Sequence, residues 1–235
     1  MKIVGELDTI ERPARIGFDG TLLEGDLVVP PGAKGIVLFA HGSGSSRFSP
    51  RNRAVASRLQ DARIATMLLD LLTIDEERAE AATGQFRFDI GLLTARLVAA
   101  TRWVGQQPEL QSLPVAYFGA STGAAAAIAA AAVLPTTVRA VVSRGGRPDL
   151  AGQALEALTA PTLLIVGGLD TVVINLNRDA LRRLRCVKRL EIVPGAGHLF
   201  EEPGALEQVS QFAREWFERY LIAASPDSAR SRSDW

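Results

Sequence analysis

The chain has 235 residues, 47% of them apolar and 22% charged, and its 26 lysines and arginines are balanced by 26 aspartates and glutamates. That apolar share at zero net charge excludes an intrinsically disordered chain, and the lack of a basic excess excludes a protein built mainly to neutralise nucleic-acid phosphates. One cysteine, Cys186, rules out an intrachain disulfide, and with only His41 and His198 available no zinc cluster of the usual spacing can be drawn.

The opening MKIVGELD lacks the basic-then-apolar pattern of a secretory signal, so a cytoplasmic location is expected. Residues 14–18 and 21–29, joined by Asp19-Gly20, read as an antiparallel hairpin. A continuous apolar run at 36–40 predicts a strand covered on both faces. It leads into His41-Gly42-Ser43-Gly44-Ser45-Ser46-Arg47 and then Ser49-Pro50, an N-cap followed by proline at the first helical position. Val55, Leu59 and Ala62 form a helical stripe, and 64–70 reads as the next strand. Asp89 can cap a second helix striped by Ile90, Leu93, Leu97, Ala100 and Val104. The charge-free stretch 115–134 is long enough to suggest a membrane span. Its flanking prolines, and Gly119, Ser121, Thr122 and Gly123 in its first half, make it strand, tight turn and buried Ala-rich helix instead. Further strands are expected at 138–143, 162–166 and 189–193, with helices marked by Leu176, Ala180 and Leu184 and by Leu206, Val209, Ala213, Trp216 and Tyr220. The basic stretches 51–53 and 182–185 read as solvated helix faces, and Cys186 as ordinary packing.

Alternating strands and helices imply an α/β fold: a mostly parallel open sheet of about eight strands with an N-terminal antiparallel hairpin and helices on both faces. Residues 144–160 leave room for one crossover helix, so no large lid is expected there. Residues 1–224 form one domain in this reading, and 225–235 a polar C-terminal tail.

The strongest chemical signal is Gly119-Ala120-Ser121-Thr122-Gly123, between a strand and a helix. Gly-x-Ser-x-Gly in that context is a nucleophile elbow, with the serine on a strained turn at a helix N-terminus. The same five residues can instead be a small-residue turn that lets the helix pack close to the sheet. A serine nucleophile needs a general base, and His198 follows the last predicted strand in Pro194-Gly195-Ala196-Gly197-His198. Asp170, after the strand at 162–166, lies between them in the chain order this architecture uses. Asp170 can alternatively be a helix cap, and His198 a surface histidine. All three lie at carboxyl ends of strands, where open α/β sheets place their sites. The amide of Thr122, and that of Ser43 or Gly44 from the glycine-rich loop, are the candidate oxyanion donors. His41 is expected to shape that loop. Arg144 and Arg147 leave the strand beside the elbow and can hold a substrate carboxylate or pair internally with Asp149. The glycine-serine loop also fits an anion- or nucleotide-binding module without catalysis, although it lacks a third fingerprint glycine.

With HGSGSSRFSPRNR, YFGASTGAA, VSRGGRPDLA and VPGAGHLFEEPG in place, the chain resembles the α/β-hydrolase superfamily, within it the dienelactone hydrolase-like group, over roughly residues 15–220. The motifs are similar to those of small bacterial hydrolases of that group, some of which occur fused to a phosphoribosyltransferase domain; no such domain lies in these 235 residues. Dienelactone hydrolases proper use a cysteine nucleophile where this chain has Ser121, so the resemblance does not carry over the dienelactone substrate. It implies a Ser121, His198, Asp170 hydrolase of small soluble esters or lactones, with no cofactor or metal and no nucleic-acid or membrane partner. An acyltransferase or perhydrolase would use the same residues.

Overall fold

The computed structural model describes residues 8–222; the tail expected at 225–235 lies outside the described residues. Strands β1 (Ile10–Phe18) and β2 (Thr21–Val29) form the expected hairpin. Asp19 and Gly20 both take positive φ, 45° and 74°, which matches the turn to the twist of its strands. β1 starts earlier than the apolar pattern suggested and tolerates Pro13, because it pairs with β2 alone and nothing on its free edge needs the missing N–H.

Then follow β3 (Ile36–Ala40), α1 (Pro50–Asp61), β4 (Ala65–Leu69), α2 (Ile74–Thr83), α3 (Ile90–Val104), β5 (Val115–Ala120), α4 (Thr122–Val133) and β6 (Val138–Arg144). A 3-10 turn at Pro148–Ala151 and the short α5 (Ala154–Ala157) lead to β7 (Thr162–Gly167), α6 (Thr171–Arg183), β8 (Lys188–Val193) and α7 (Ala205–Phe217). The eight-stranded sheet has the order β1-β2-β4-β3-β5-β6-β7-β8 and is parallel from β4 to β8. The segment between β6 and β7 carries only the 3-10 turn and α5, in keeping with an uncovered site on that side.

Fully buried strands produce two cores. On β3, Ile36, Leu38 and Ala40 pack under α3 and α4, while Val37 and Phe39 face α1 and α7. The Phe39 and Phe118 rings meet at 4.9 Å between centroids on the second face. Truncating a buried aromatic of this kind costs about 3–5 kcal/mol. The outer strand β8 is only partly covered and carries Lys188, Arg189 and Glu191, charges that discourage edge pairing. No helix among the described residues is long and apolar enough to cross a membrane.

α2 is absent from the sequence reading, because its apolar periodicity is weak. A capping box supports it instead: the Thr73 side chain accepts from the Glu76 amide, while the Glu76 carboxylate accepts from the Thr73 amide. Glu76 also holds both terminal nitrogens of the buried Arg96 at 2.6 Å, and Arg96 reaches the Leu71 carbonyl, tying α2 to α3 and to the end of β4.

β3 has β4 on one side and β5 on the other, so the connections leaving β3 and β5 run to opposite faces of the sheet. That reversal opens a crevice at the carboxyl edge between the β3–α1 loop and the turn into α4. The two loops approach so closely that a Cβ at Gly123 would overlap the carbonyl oxygens of Ala40 and His41. Gly123→Ala should therefore destabilise the protein by about 1–3 kcal/mol, read as a lower urea midpoint at unchanged m-value.

Candidate active site

Ser121 ends β5 and begins α4 with φ 51° and ψ −123°, a conformation disfavoured for any residue with a Cβ. Hydrogen bonds over-determine it. Its N–H donates to the Arg144 carbonyl at 3.3 Å, and its own carbonyl accepts from Arg147 and Ala124 at 3.0 and 3.1 Å. Gly42, from the loop after β3, faces it so closely that a Cβ there would lie 2.8 Å from Ser121 Cβ and 3.6 Å from its Oγ. The serine thus stands at the positive end of a helix, where developing negative charge is stabilised.

Asp170 and His198 are brought together as expected. His198 Nδ1 lies 2.6 Å from Asp170 Oδ2, with the carboxylate side chain 15% exposed and the imidazole 42%. The cap reading of Asp170 holds as well, since its other oxygen accepts from the Val173 amide at 3.4 Å. One carboxylate orients the ring and starts α6. The remaining link is open: the ring's hydrogen bond is to Asp170, and the Ser121 hydroxyl makes none with it. The two residues are nonetheless neighbours across the end of β6. A Cβ at Gly145 would lie 3.6 Å from His198 Cε1, and the preceding residue, Arg144, accepts the Ser121 amide.

The glycine-rich loop after β3 meets the elbow through one hydrogen bond. The Ser43 amide is not a free donor; it donates to the Thr122 hydroxyl at 3.2 Å. An oxyanion would compete with that hydroxyl for the same N–H. Gly44, the alternative donor, takes φ 68° at the turn of the loop. His41 shapes the loop: Nε2 accepts the Leu71 amide at 3.0 Å, which leaves the proton on Nδ1 to donate to the Gly42 carbonyl at 2.8 Å.

The two arginines differ. Both sides of the Arg147 fork hold Asp149, at 2.9 and 2.7 Å, two residues along the same turn. Arg144 is buried, 8% exposed, and has no carboxylate partner among the described residues. Burial first, and nearby Arg51 second, push its guanidinium down to about 10, so it keeps its charge at neutral pH.

A cleft of about 400 Å³ opens on the oxyanion side, between the Gly42–Ser46 loop and α2, with Leu71, Leu72, Phe86 and Leu93 as apolar walls. Sequence reasoning missed the groups that hold its rim. Glu80 of α2 accepts from the Phe86 and Arg87 amides at 2.7 and 3.1 Å, and the Ser43 hydroxyl donates to it at 3.3 Å. Asp70, at the end of β4, accepts from the Arg47 amide at 2.6 Å and pairs with its guanidinium. Glu202 accepts the Gly197 amide at 2.9 Å and so braces the His198 loop. The capping box at Thr73 and Glu76 was the one available pointer to α2. His41, Asp70 and Glu77 lie close enough to share a cation, but His41 Nε2 is engaged by the Leu71 amide and Asp70 by Arg47, so this donor set does not fit a metal ion.

The His41 geometry carries a pH signature. Burial pushes this histidine below its ordinary 6.5, against the raising effects of the Gly42 carbonyl and Asp70. The unfolded chain therefore takes up a proton here before the native state does, and stability falls as pH drops below about 6.5. His41→Gln should lose this component of the slope of melting temperature between pH 7 and pH 5; an unchanged slope would count against a neutral, buried His41.

The dienelactone hydrolase family model matches residues 24–221. A dienelactone hydrolase from Anabaena variabilis is 59% identical and superposes with a TM-score of 0.89 over 92% of this chain and 100% of its own. The Butyrivibrio proteoclasticus esterase Est1E, at 16% identity and a TM-score of 0.75 over 90% of this chain and 99% of its own, shares the fold. Over 202 residues, 86% of this chain, a Mycobacterium tuberculosis protein is 57% identical; its name assigns it provisionally to the phosphoribosyl transferases, and the chain spans 45% of its length. Fold, elbow and matched span agree, and the chain belongs to the dienelactone hydrolase family, on the α/β-hydrolase fold.

Proposed function

We propose that the protein is a serine hydrolase that cleaves small soluble carboxylic esters or lactones through an acyl-enzyme. The observation that carries this reading is the strained Ser121 at the head of α4, on the same sheet edge as the Asp170–His198 pair. Family membership supports hydrolase chemistry. The transferase name belongs to a protein of which this chain spans less than half, and a serine, a histidine and an aspartate at one sheet edge support acyl-transfer chemistry.

Asp170 holds Nδ1–H, so the basic nitrogen of His198 is Nε2. Once the serine hydroxyl closes on Nε2, its proton moves there as Oγ bonds to the ester carbonyl carbon, and the carbonyl electrons collect on oxygen. The Thr122 amide and the Ser43 amide, released from the Thr122 hydroxyl, receive that oxyanion. As the carbon to leaving-oxygen bond breaks, the imidazolium returns its proton to the alcohol. Water then adds to the acyl-enzyme with the same groups in the same roles and frees the acid and Ser121. Asp170 keeps its charge throughout and stabilises the imidazolium.

The cleft walled by Leu71, Leu72, Phe86 and Leu93 suits a short acyl chain. Turnover of nitrophenyl esters should accordingly fall from butyrate to decanoate, with no jump at an emulsified surface.

The nucleophile is tested directly. Ser121→Ala should lower kcat for a nitrophenyl ester by at least ~10³-fold with an unchanged circular dichroism spectrum, and fluorophosphonate labelling should disappear. Labelling that persists in this variant would refute the mechanism.

A further inference from the structure

Arg144 does not fit the charge pattern of the rest of the molecule. Arg96, also buried, carries the Glu76 carboxylate on its two terminal nitrogens and leaves only its Nε without a partner. Arg144 has one neutral acceptor, Asn52 Oδ1 at 3.3 Å from Nη2, while its Nε and Nη1 are buried without a partner. A guanidinium offers donors only and keeps its charge, so two empty N–H directions in a dry place favour an anion. The surroundings add more positive charge. Asn52 lies in the first turn of α1, which contains no acidic residue and points its dipole's positive end at this spot. Arg51, in the same turn, lowers the Arg144 pKa through its charge, and its own Nε is also buried and unpartnered. The carboxylate on Arg51 is that of Glu201, from the His198 loop. It is 65% exposed and holds Arg51 from the solvent side at 2.9 Å. Such exposed pairs are weak and exchangeable.

We infer that Arg144, Arg51 and the first turn of α1 form a binding site for one small oxyanion, a carboxylate or a phosphate, beside the active site. Glu201 is its exchangeable cover, and an incoming oxyanion takes its place on Arg51 and reaches the empty donors of Arg144. The Arg144 carbonyl already holds the Ser121 amide, and a Cβ at its neighbour Gly145 would lie 3.2 Å from the His198 carbonyl oxygen, so occupancy is felt where the chemistry is proposed. The oxyanion can be a free ion or the free carboxylate of an ester substrate; the latter source rests on the hydrolase reading, the site itself does not.

The test separates the two sources. Binding is measured first without turnover, as the melting temperature of Ser121→Ala protein titrated with inorganic phosphate or with acetate against chloride at equal ionic strength. A saturable rise of roughly 5–10 °C at a hundredfold excess over Kd is expected with at least one probe. Asn52→Asp, nearly isosteric, places a carboxylate on Arg144 and in the first turn of α1. Added to Ser121→Ala, it should raise the melting temperature without added anion and abolish the rise with it. Glu201→Gln should tighten anion binding by removing the competitor. With active enzyme, the second readout compares nitrophenyl hydrogen succinate with its neutral methyl ester. A substrate carboxylate in the site gives a preference for the anionic ester of about tenfold or more, lost in Asn52→Asp; a free ion gives the melting shift with no preference. Failure to hydrolyse either ester would sink the hydrolase reading alone and leave the melting experiment decisive. No shift with either probe, or a shift that survives Asn52→Asp, overturns the anion site.

Discussion

The site depends on the contact between two loops at the reversal of strand order. Gly42 lies against Ser121, and Gly123 against the carbonyls of Ala40 and His41, so the end of β3 and the start of α4 are separated by less than a side chain. Were these loops farther apart, the Ser43 amide could not reach Thr122, and the candidate oxyanion donors and Ser121 would belong to different regions. The contact depends in turn on β3 and β5 being neighbours in the sheet, with their connections leaving toward opposite faces. Two buried cores, one on each face, hold the strands at that spacing.

Charges brace what the strands bring together, and each acts at a point where backbone would otherwise be loose. Arg47 and Asp70 bind the glycine-rich loop to the end of β4, with Glu24 and Asp26 of the hairpin extending the network. Glu80 ties Ser43 to the segment around Phe86, and Glu202 holds the histidine loop through one amide. In each case a carboxylate accepts backbone N–H groups, which fixes geometry as well as charge. Asp170 follows the same logic, serving the α6 terminus with one oxygen and the His198 ring with the other. Arg144 is the exception, a buried cation beside this framework whose one hydrogen-bond partner among the described residues is the neutral Asn52.

The geometry of the proposed catalytic groups is correspondingly divided. The acid and imidazole are already joined, which sets the tautomer before substrate arrives, whereas the serine to imidazole step and the release of the Ser43 amide remain to be made. Apo enzymes often hold these bonds long and tighten them in the substrate complex. The stiff part is the elbow, where three backbone hydrogen bonds oppose the strain at Ser121. The adjustable parts are a half-exposed ring and a hydroxyl rotor, groups that move at low energetic expense.

By itself the sequence determined the layered α/β architecture, because continuous apolar strands such as 36–40 and 115–120 can exist only where both faces are covered, and that is a local property of composition. It also determined the hairpin at Asp19-Gly20 and the strand-to-helix turn at Ser121, since each rests on a short motif tied to one turn. The segment 74–83 was not legible in this way; its helix is made by caps and by Arg96 from another element, and its apolar pattern is weak. Partner choice was equally out of reach. Ser143-Arg144-Gly145-Gly146-Arg147-Pro148-Asp149 offered Asp149 as a partner to either arginine, without saying that Arg147 takes it while Arg144 turns beneath α1 toward Asn52. Only the tertiary structure decided that, along with the Thr122 hydroxyl on the Ser43 amide and the service of Glu80 and Glu202, because hydrogen bonds between residues distant in sequence depend on how the faces of the sheet are covered.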